Sequence, residues 1–539
     1  MSTESSDNIT TITPGELKQM LSGSEELALL DVREELSFGA EHLLYASCFP
    51  LSRLELNAVA MIPRRNVPIV LCEQKEALAK RAAKRLLHLG YRKISVLQGG
   101  VDAWKAEGYE VFSGVNVPSK AFGEFIEAEY ETPSVSADEL NEMLEAGEDL
   151  VVLDSRPMTE YQARNIPTGI CVPGGELVYR VHDIAPSPET LVVVNCAGRT
   201  RSIIGAQSLI NAGIPNPVVA LRNGTMGWHL AGHALETGME RRYKEISNFG
   251  LTAAKKAAER VCKRYRVNSI DQGTLKSWLR ESDQRSLYLL DVRSPEEYEA
   301  GHLRGSRSAP GGQLVQETDK FVPTLHARII LIDDNGVRAG MTASWLKQMG
   351  WEHVVILAGG LDGFPLETGP EPVDVPGLDE VHAEMISPDR LFQCLSEGNV
   401  SIIDLSLSRN YKTGHLPGAW FAVRARLEQS FSKIPQKENL VLSSEDGTLA
   451  LLAAAELEAI ATVPVKVLEG GNLAWEKSGY ALHQYPEHMA DDADDIWLRP
   501  YEKDWGVEEA MQDYLTWEVG LVPQIQRDGS SNFWPKVTG

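Results

Sequence analysis

Metal-ligand spacings, apolar runs of membrane length and an excess of positive charge are all missing from this 539-residue chain. Its six cysteines, Cys48, Cys72, Cys171, Cys196, Cys262 and Cys394, are scattered without a CxxC pair, so neither a zinc site nor a disulfide scaffold is indicated. No apolar stretch approaches the roughly 20 residues of a membrane span. The opening segment MSTESSDNITTITPGEL carries acids where a secretion signal has a basic and then an apolar region. Lys and Arg number 52 against 76 Asp and Glu, a net charge of −24, and the resulting far field repels nucleic acid and anionic membrane surfaces. These absences describe a cytoplasmic protein in which any anionic substrate needs a local basic pocket. A chain of this length is expected to hold roughly three to five domains.

What is present is a repeat. A capped helix opening occurs four times, as ITPGEL from Ile12, VSADEL from Val135, IDQGTL from Ile270 and ISPDRL from Ile386. Each is followed by an apolar run closed by an aspartate, at Asp31, Asp154, Asp291 and Asp404, of the kind that suits a strand buried on both faces. A second run (VPIVLCE, LVVVNCA, RIILIDD, NLVLSSE), a helical pattern and a third run (ISVLQGG, VVALRNG, VVILAGG, VKVLEGG) complete each copy. Strand and helix alternating in this way imply parallel βαβ units. The expected fold is α/β: four tandem domains, each a small parallel sheet flanked by helices on both faces. They are placed at 8–118, 130–240, 267–375 and 380–485. Residues 241–266, with nine Lys or Arg against Glu245 and Glu259, read as a solvated basic linker helix. Residues 486–539 form an acidic tail whose Trp497, Trp505, Trp517 and Trp534 are expected to anchor it on neighbouring domains.

Three features taken together carry a resemblance. They are the strand ending in Asp-x-Arg, the stretches EYEAGHLRGS (297–306) and NYKTGHLPGA (410–419), and the loop CAGRTRS that begins at Cys196. With these the chain resembles the rhodanese homology family over nearly its whole length except the tail. The family includes sulfurtransferases, phosphatase relatives and silent modules, so fold alone does not settle activity. By resemblance, Cys196 is the catalytic nucleophile of the second copy. Asp154 and Arg156 are the pair that pins the domain's own loops, and His302 and His415 are structural. Counting back 17 residues from the helix glycines Gly90 and Gly350, as Cys196 stands to Gly213, gives Glu73 and Asp333. Counting back 32 from Trp475, as from Trp228, gives Ser443, and the same count from Trp104 gives Cys72 in place of Glu73. The first, third and fourth copies are therefore read as silent.

A cysteine attacks as thiolate, and an unperturbed thiol near pKa 8.5 is only slightly ionised at neutral pH. In a strand-loop-helix unit, the amides of Ala197 to Ser202 and the positive end of the following helix face the sulfur. Gly198 is expected to allow the tight turn, and Arg199 and Arg201 to add positive charge that lowers the thiol's pKa. The substrate-binding set is thus Ala197, Gly198, Arg199, Thr200, Arg201 and Ser202, with Arg180 as a further anion ligand. The reaction expected is thiosulfate sulfurtransfer. Cys196 takes sulfane sulfur from thiosulfate or another persulfide and passes it to cyanide or a thiol, with no cofactor or metal. Other readings stay open: an adaptor of four modules, a mercaptopyruvate sulfurtransferase, or a cysteine phosphatase or arsenate reductase. Against the last, a phosphate loop has Arg six positions after Cys, where this chain has Ser202. The silent-then-active order also leads to the expectation that the first copy walls the cleft over Cys196 while the third and fourth form a second pair.

Overall fold

A computed structural model describes residues 9–534; the start of the opening segment and the last five residues of the tail lie outside it. The four helix openings are capped as their residues dictate. Thr13, Ser136, Asp271 and Ser387 each accept a hydrogen bond from the amide three residues on, and Glu16 and Glu139 close capping boxes on the first two. The apolar runs form the sheet interiors. In the second repeat the order is Ser134–Val135, Val218–Leu221, Leu191–Asn195, Leu150–Asp154, Ile170–Cys171, all parallel. The same parallel order recurs in the other three, with helices on both faces.

Strand register settles which residues are equivalent. Asn195 lies opposite Asp154, and the matching partners in the other repeats are Cys72, Ile332 and Ser443. One residue further on come Cys196, Glu73, Asp333 and Ser444. In each repeat a glycine with φ between 55° and 61° (Gly224, Gly100, Gly360, Gly471) is packed so closely on that residue's carbonyl oxygen that a Cβ would collide with it. The glycine count was therefore correct, and the tryptophan count is one residue out. The second repeat is one residue longer between Gly213 and Gly224, so Ser444, not Ser443, is the fourth equivalent, and Cys72 is a buried strand residue.

The repeats pair by the face that carries the turn before the second strand, and the pairs are nested. The first packs on the fourth through a shared apolar core that includes Leu51, Leu54, Phe421 and Val423, with Arg424 bridging Glu55 and Glu456 at 2.8 and 2.7 Å. The second packs on the third, where the turns Gly174-Gly175 and Gly311-Gly312 meet backbone to backbone. Arg338 of the third reaches Glu176 of the second at 2.7 Å, and Arg201 of the second donates to Gln313 of the third at 3.1 Å. The expected pairing of first with second and third with fourth is thus corrected. The basic segment is corrected too: helix Asn248–Arg264 buries Gly250, Ala254, Ala257, Ala258 and Val261 in the core of the second repeat, and only its outer face is solvated. Between the first and second repeats, where no element was expected, lies a helix, Val117–Tyr130.

The tail is a strap. Asp491, Asp494 and Asp495 dock on the fourth repeat through Ser430, Arg426 and the Ser408 amide. Trp497 covers Gly39 and Trp517 covers Gly114. Trp534 donates its amide to the Gln348 carbonyl, whereas Trp505 is 85 % exposed and anchors nothing. The helix Val507–Asp528 forms most of the strap's last stretch.

A Cβ at Gly312 would stand 2.9 to 3.1 Å from the backbone of Gly174 and Gly175, atoms that cannot rotate away. Gly312→Ala is expected to destabilise the protein by about 1–3 kcal/mol, read as a lower melting temperature. A parental melting curve would show that the two turns do not meet.

Candidate active site

Cys196 follows the strand Leu191–Asn195 and precedes the helix Thr200–Ala212, so the helix's first turn stands beside the sulfur. The Ser202 amide and hydroxyl lie near enough to favour its thiolate, while both donate to the Arg199 carbonyl, at 3.1 and 2.8 Å. Asn195 anchors the strand end by donating to Asp154 at 3.0 Å, and Asp154 is in turn held by Arg156 at 2.6 Å, with Arg156 also on the Arg164 carbonyl. That pair is wholly buried and pins the loop, as do Asp31 with Arg33 and Asp291 with Arg293. His302 and His415 bond the carbonyls of Tyr298 and Tyr411 and stack on their rings.

The two loop arginines part company. Arg201 stays by the thiol, its guanidinium held by Glu160 at 2.8 and 3.0 Å. Burial opposes ionisation of Glu160, yet Arg201 and Arg499 beside it hold its carboxyl down at about 2. Arg199 turns instead toward the linker helix, where Glu124 (2.7 and 2.8 Å), Glu127 and Asn223 occupy its donors. Arg180 is turned away as well. It pairs with Glu176 at 2.8 Å between the rings of Tyr179 and Tyr243, and it does not line the space at the thiol.

Gly198 is needed for room rather than for its backbone angles, since its φ is not positive. A Cβ there would meet Met226 at 2.9 Å and a Glu518 carboxylate oxygen at 3.2 Å. Glu518 belongs to the tail helix, which lies directly over the loop. Met511 and Leu515 pack on Ala197 and Met226, and Glu518 accepts from Thr200 at 3.2 Å and Tyr514 at 3.0 Å. Cys196 is consequently only 2 % exposed. Burial pushes its thiol up, against the pull of Arg201 and the Ser202 donors, and Glu518 pushes it further the same way. The expectation of a thiol depressed by two arginines is thus corrected: one arginine faces it, and desolvation wins.

Beside Ala197 and Arg201 a cavity of about 70 Å3 is lined by Lys120 of the linker helix, Gln316 and Glu317 of the third repeat, and Arg499, Tyr501 and Tyr514 of the tail. The wall beside the cysteine is therefore built mainly by the linker helix, the third repeat and the tail; the first repeat contributes only its end, Val115 and Asn116. A larger cavity of about 300 Å3 lies between the second and third repeats beside Cys171 and Arg242; Cys196 lines neither space, and the smaller one reaches its neighbour Ala197. Lys120 and Glu124 leave a trace in the sequence, sharing an inward stripe with Val117 and Ala121 at helical spacing. Nothing local marked Arg499, Tyr501 or Glu518, which reach the loop from some 300 positions along the chain.

The rhodanese-like domain model matches residues 13–107, 136–231, 271–366 and 387–478. A crystal structure of a thiosulfate sulfurtransferase from Pseudomonas aeruginosa is 48 % identical and superimposes with a TM-score of 0.94, over 98 % of this chain and 99 % of that one. Among curated proteins, the centrosomal protein of 41 kDa from Xenopus tropicalis is 29 % identical over 27 % of this chain and 45 % of its own length. A probable adenylyltransferase/sulfurtransferase MoeZ from Mycobacterium tuberculosis is 32 % identical over 17 % of this chain and 24 % of its own. The chain spans about half the length of the curated relatives it matches.

With the thiol roofed by the tail helix and raised by burial, alkylation of Cys196 by iodoacetamide at neutral pH is expected to be slow. Met511→Asp with Leu515→Asp, which puts charges into the packed face of the helix, is expected to speed it about tenfold or more, as about 1.4 kcal/mol of easier opening would. An unchanged rate, with circular dichroism showing the repeats intact, would mean that the helix does not guard the thiol.

Proposed function

Since the chain belongs to the rhodanese-like domain family four times over, we propose that it is a sulfurtransferase carrying sulfane sulfur on Cys196 from thiosulfate, or another persulfide, to an acceptor such as cyanide or a thiol. The observation that carries this reading is the comparison of four equivalent loop positions. Three hold Glu73, Asp333 and Ser444, and only the second holds a thiol, beside a cavity lined with Lys120, Arg201 and Arg499. Likeness over the full chain to a thiosulfate sulfurtransferase supports the same donor.

In the first step Cys196 sulfur attacks the outer sulfur of thiosulfate. The donor's S–S bond breaks and its electron pair leaves on sulfite, which also takes the thiol's proton and departs as bisulfite. The negative charge left on the new persulfide falls within reach of the Ser202 donors and Arg201. In the second step the acceptor attacks the outer sulfur, the persulfide bond breaks, and its electron pair returns to Cys196. Nothing is oxidised or reduced overall; one sulfur changes hands. The buried setting keeps water from the persulfide between the two steps. The first, third and fourth repeats act as framework in this reading, the third also supplying Gln313 behind Arg201.

Incubation with thiosulfate is expected to add a single sulfur, seen by intact mass, and Cys196→Ser is expected to abolish both this and thiocyanate formation from cyanide. Cys72→Ser leaves both intact. Sulfur loading of the Cys196→Ser protein at the parental extent would reject the assignment.

The pH dependence of loading gives a second check. Because burial holds the thiol above its ordinary value, the nucleophilic form is scarce at neutral pH. At saturating thiosulfate the single-turnover rate is therefore expected to climb as the solution is made alkaline. A rate that stays level from pH 6 to pH 9 would show a thiolate already formed.

A further inference from the structure

Lys120 is unusual among the charged groups near the thiol. It is 4 % exposed, lies on the inward face of helix Val117–Tyr130, and lines the cavity beside Ala197. Its ammonium is 5.0 Å from the rings of both Tyr514 and Trp517 and, among the described residues, has no hydrogen bond or ion pair. A desolvated cation without an acceptor is costly, and one facing a cavity has its acceptor still to come. Arg201 and Arg499 differ in being tied to Glu160. Of the carboxylates nearby, Glu317 is paired with Lys320 at 3.4 Å. Glu518 spends one oxygen on Thr200 and Tyr514, and its second oxygen is buried without a partner.

The space also has room for a guest. A volume of about 70 Å3 is several times the ~10–15 Å3 that one water needs by this measure, which accommodates a small oxyanion.

We propose that Lys120 is the cation that receives the anionic end of the sulfur donor, with Arg499 and Tyr501 lining the same subsite, so that segments outside the four repeats bind the charge of a dianion such as thiosulfate. This rests on the reading of Cys196 as the sulfur carrier and adds the donor's charge-binding group to it.

The surroundings give the subsite a pH dependence. Lys120 is faced by Glu518 and Tyr514 from the tail helix and by Glu317, Asp319 and Lys320 from the third repeat; burial brings its ammonium down to about 8. Glu518 is faced by Lys120 and Glu124 from the linker helix, by Arg199 and by Tyr514; burial brings its carboxyl up to about 7. Between pH 7 and pH 9 the subsite therefore loses positive charge and gains negative charge, and both changes weaken its hold on a dianion.

The test uses the full-length protein with sulfate and thiosulfate as probes. Sulfate is expected to slow alkylation of Cys196 in the parental protein, less so as pH rises from 7 to 9, and to give no protection in Lys120→Gln. In steady state Lys120→Gln is expected to raise KM for thiosulfate by about tenfold or more, the worth of a charge-assisted contact, with a smaller change in kcat. Arg499→Gln and Tyr501→Phe, at less buried positions, should each raise KM in the same direction, which keeps the test open if the Lys120 variant folds poorly. Parental KM in all three variants, or equal sulfate protection with and without Lys120, would overturn the proposal. Failure of the parental protein to load sulfur from thiosulfate would instead overturn the sulfurtransferase reading, and sulfate protection would still report on the subsite.

Discussion

The contact on which the region around Cys196 depends is the arginine five residues after each loop start in the middle two repeats. In the second repeat Arg201 is gripped by Glu160 of its own domain and by Gln313 of the third. In the third, Arg338 is gripped by Glu297 of its own domain and by Glu176 of the second. The two arrangements are mirror roles across one interface, made possible because four glycines let the turns touch at backbone distance. A buried guanidinium needs acceptors, and the partner domain supplies one to each, while Arg338 Nε stays unpartnered. The interface thus sets where Arg201 stands relative to Cys196, and it brings Gln316 and Glu317 to the cavity wall.

Burial explains both what the site gains and what it loses. A thiol in the open would be held down by its arginine and by the helix amides. Once covered by Met511, Leu515 and Glu518 it is pushed up instead, because desolvation of a thiolate outweighs one arginine that is already neutralised by Glu160. What the cover supplies in return is a dry chamber in which charge-assisted contacts are strong and the proposed persulfide would be sheltered. The strap that forms the cover is fastened along its length, at Arg426 with Asp494, at Trp497 over Gly39, and at Arg527 with Glu110. Among the described residues no helix is long and apolar enough to cross a membrane.

The sequence by itself determined the repeat, its parallel sheets, and which of four loops carries the thiol, because those follow from local periodicity and from spacing within one domain. A count from the glycines finds the equivalent positions and a count from the tryptophans misses by one: Gly90, Gly213 and Gly350 sit just past the end of the helix that leaves the loop, whereas Trp228 and Trp475 lie beyond a turn whose length differs by one residue. Only the tertiary structure decided which repeats pair, which of Arg199 and Arg201 faces the sulfur, where Arg180 points, and that the basic helix 248–264 is core. It also decided the thiol's surroundings, since Lys120, Gln316, Arg499 and Glu518 come from a linker, another domain and the tail. Desolvation and charge act through space, and no pattern along the chain encodes a distance between segments hundreds of residues apart.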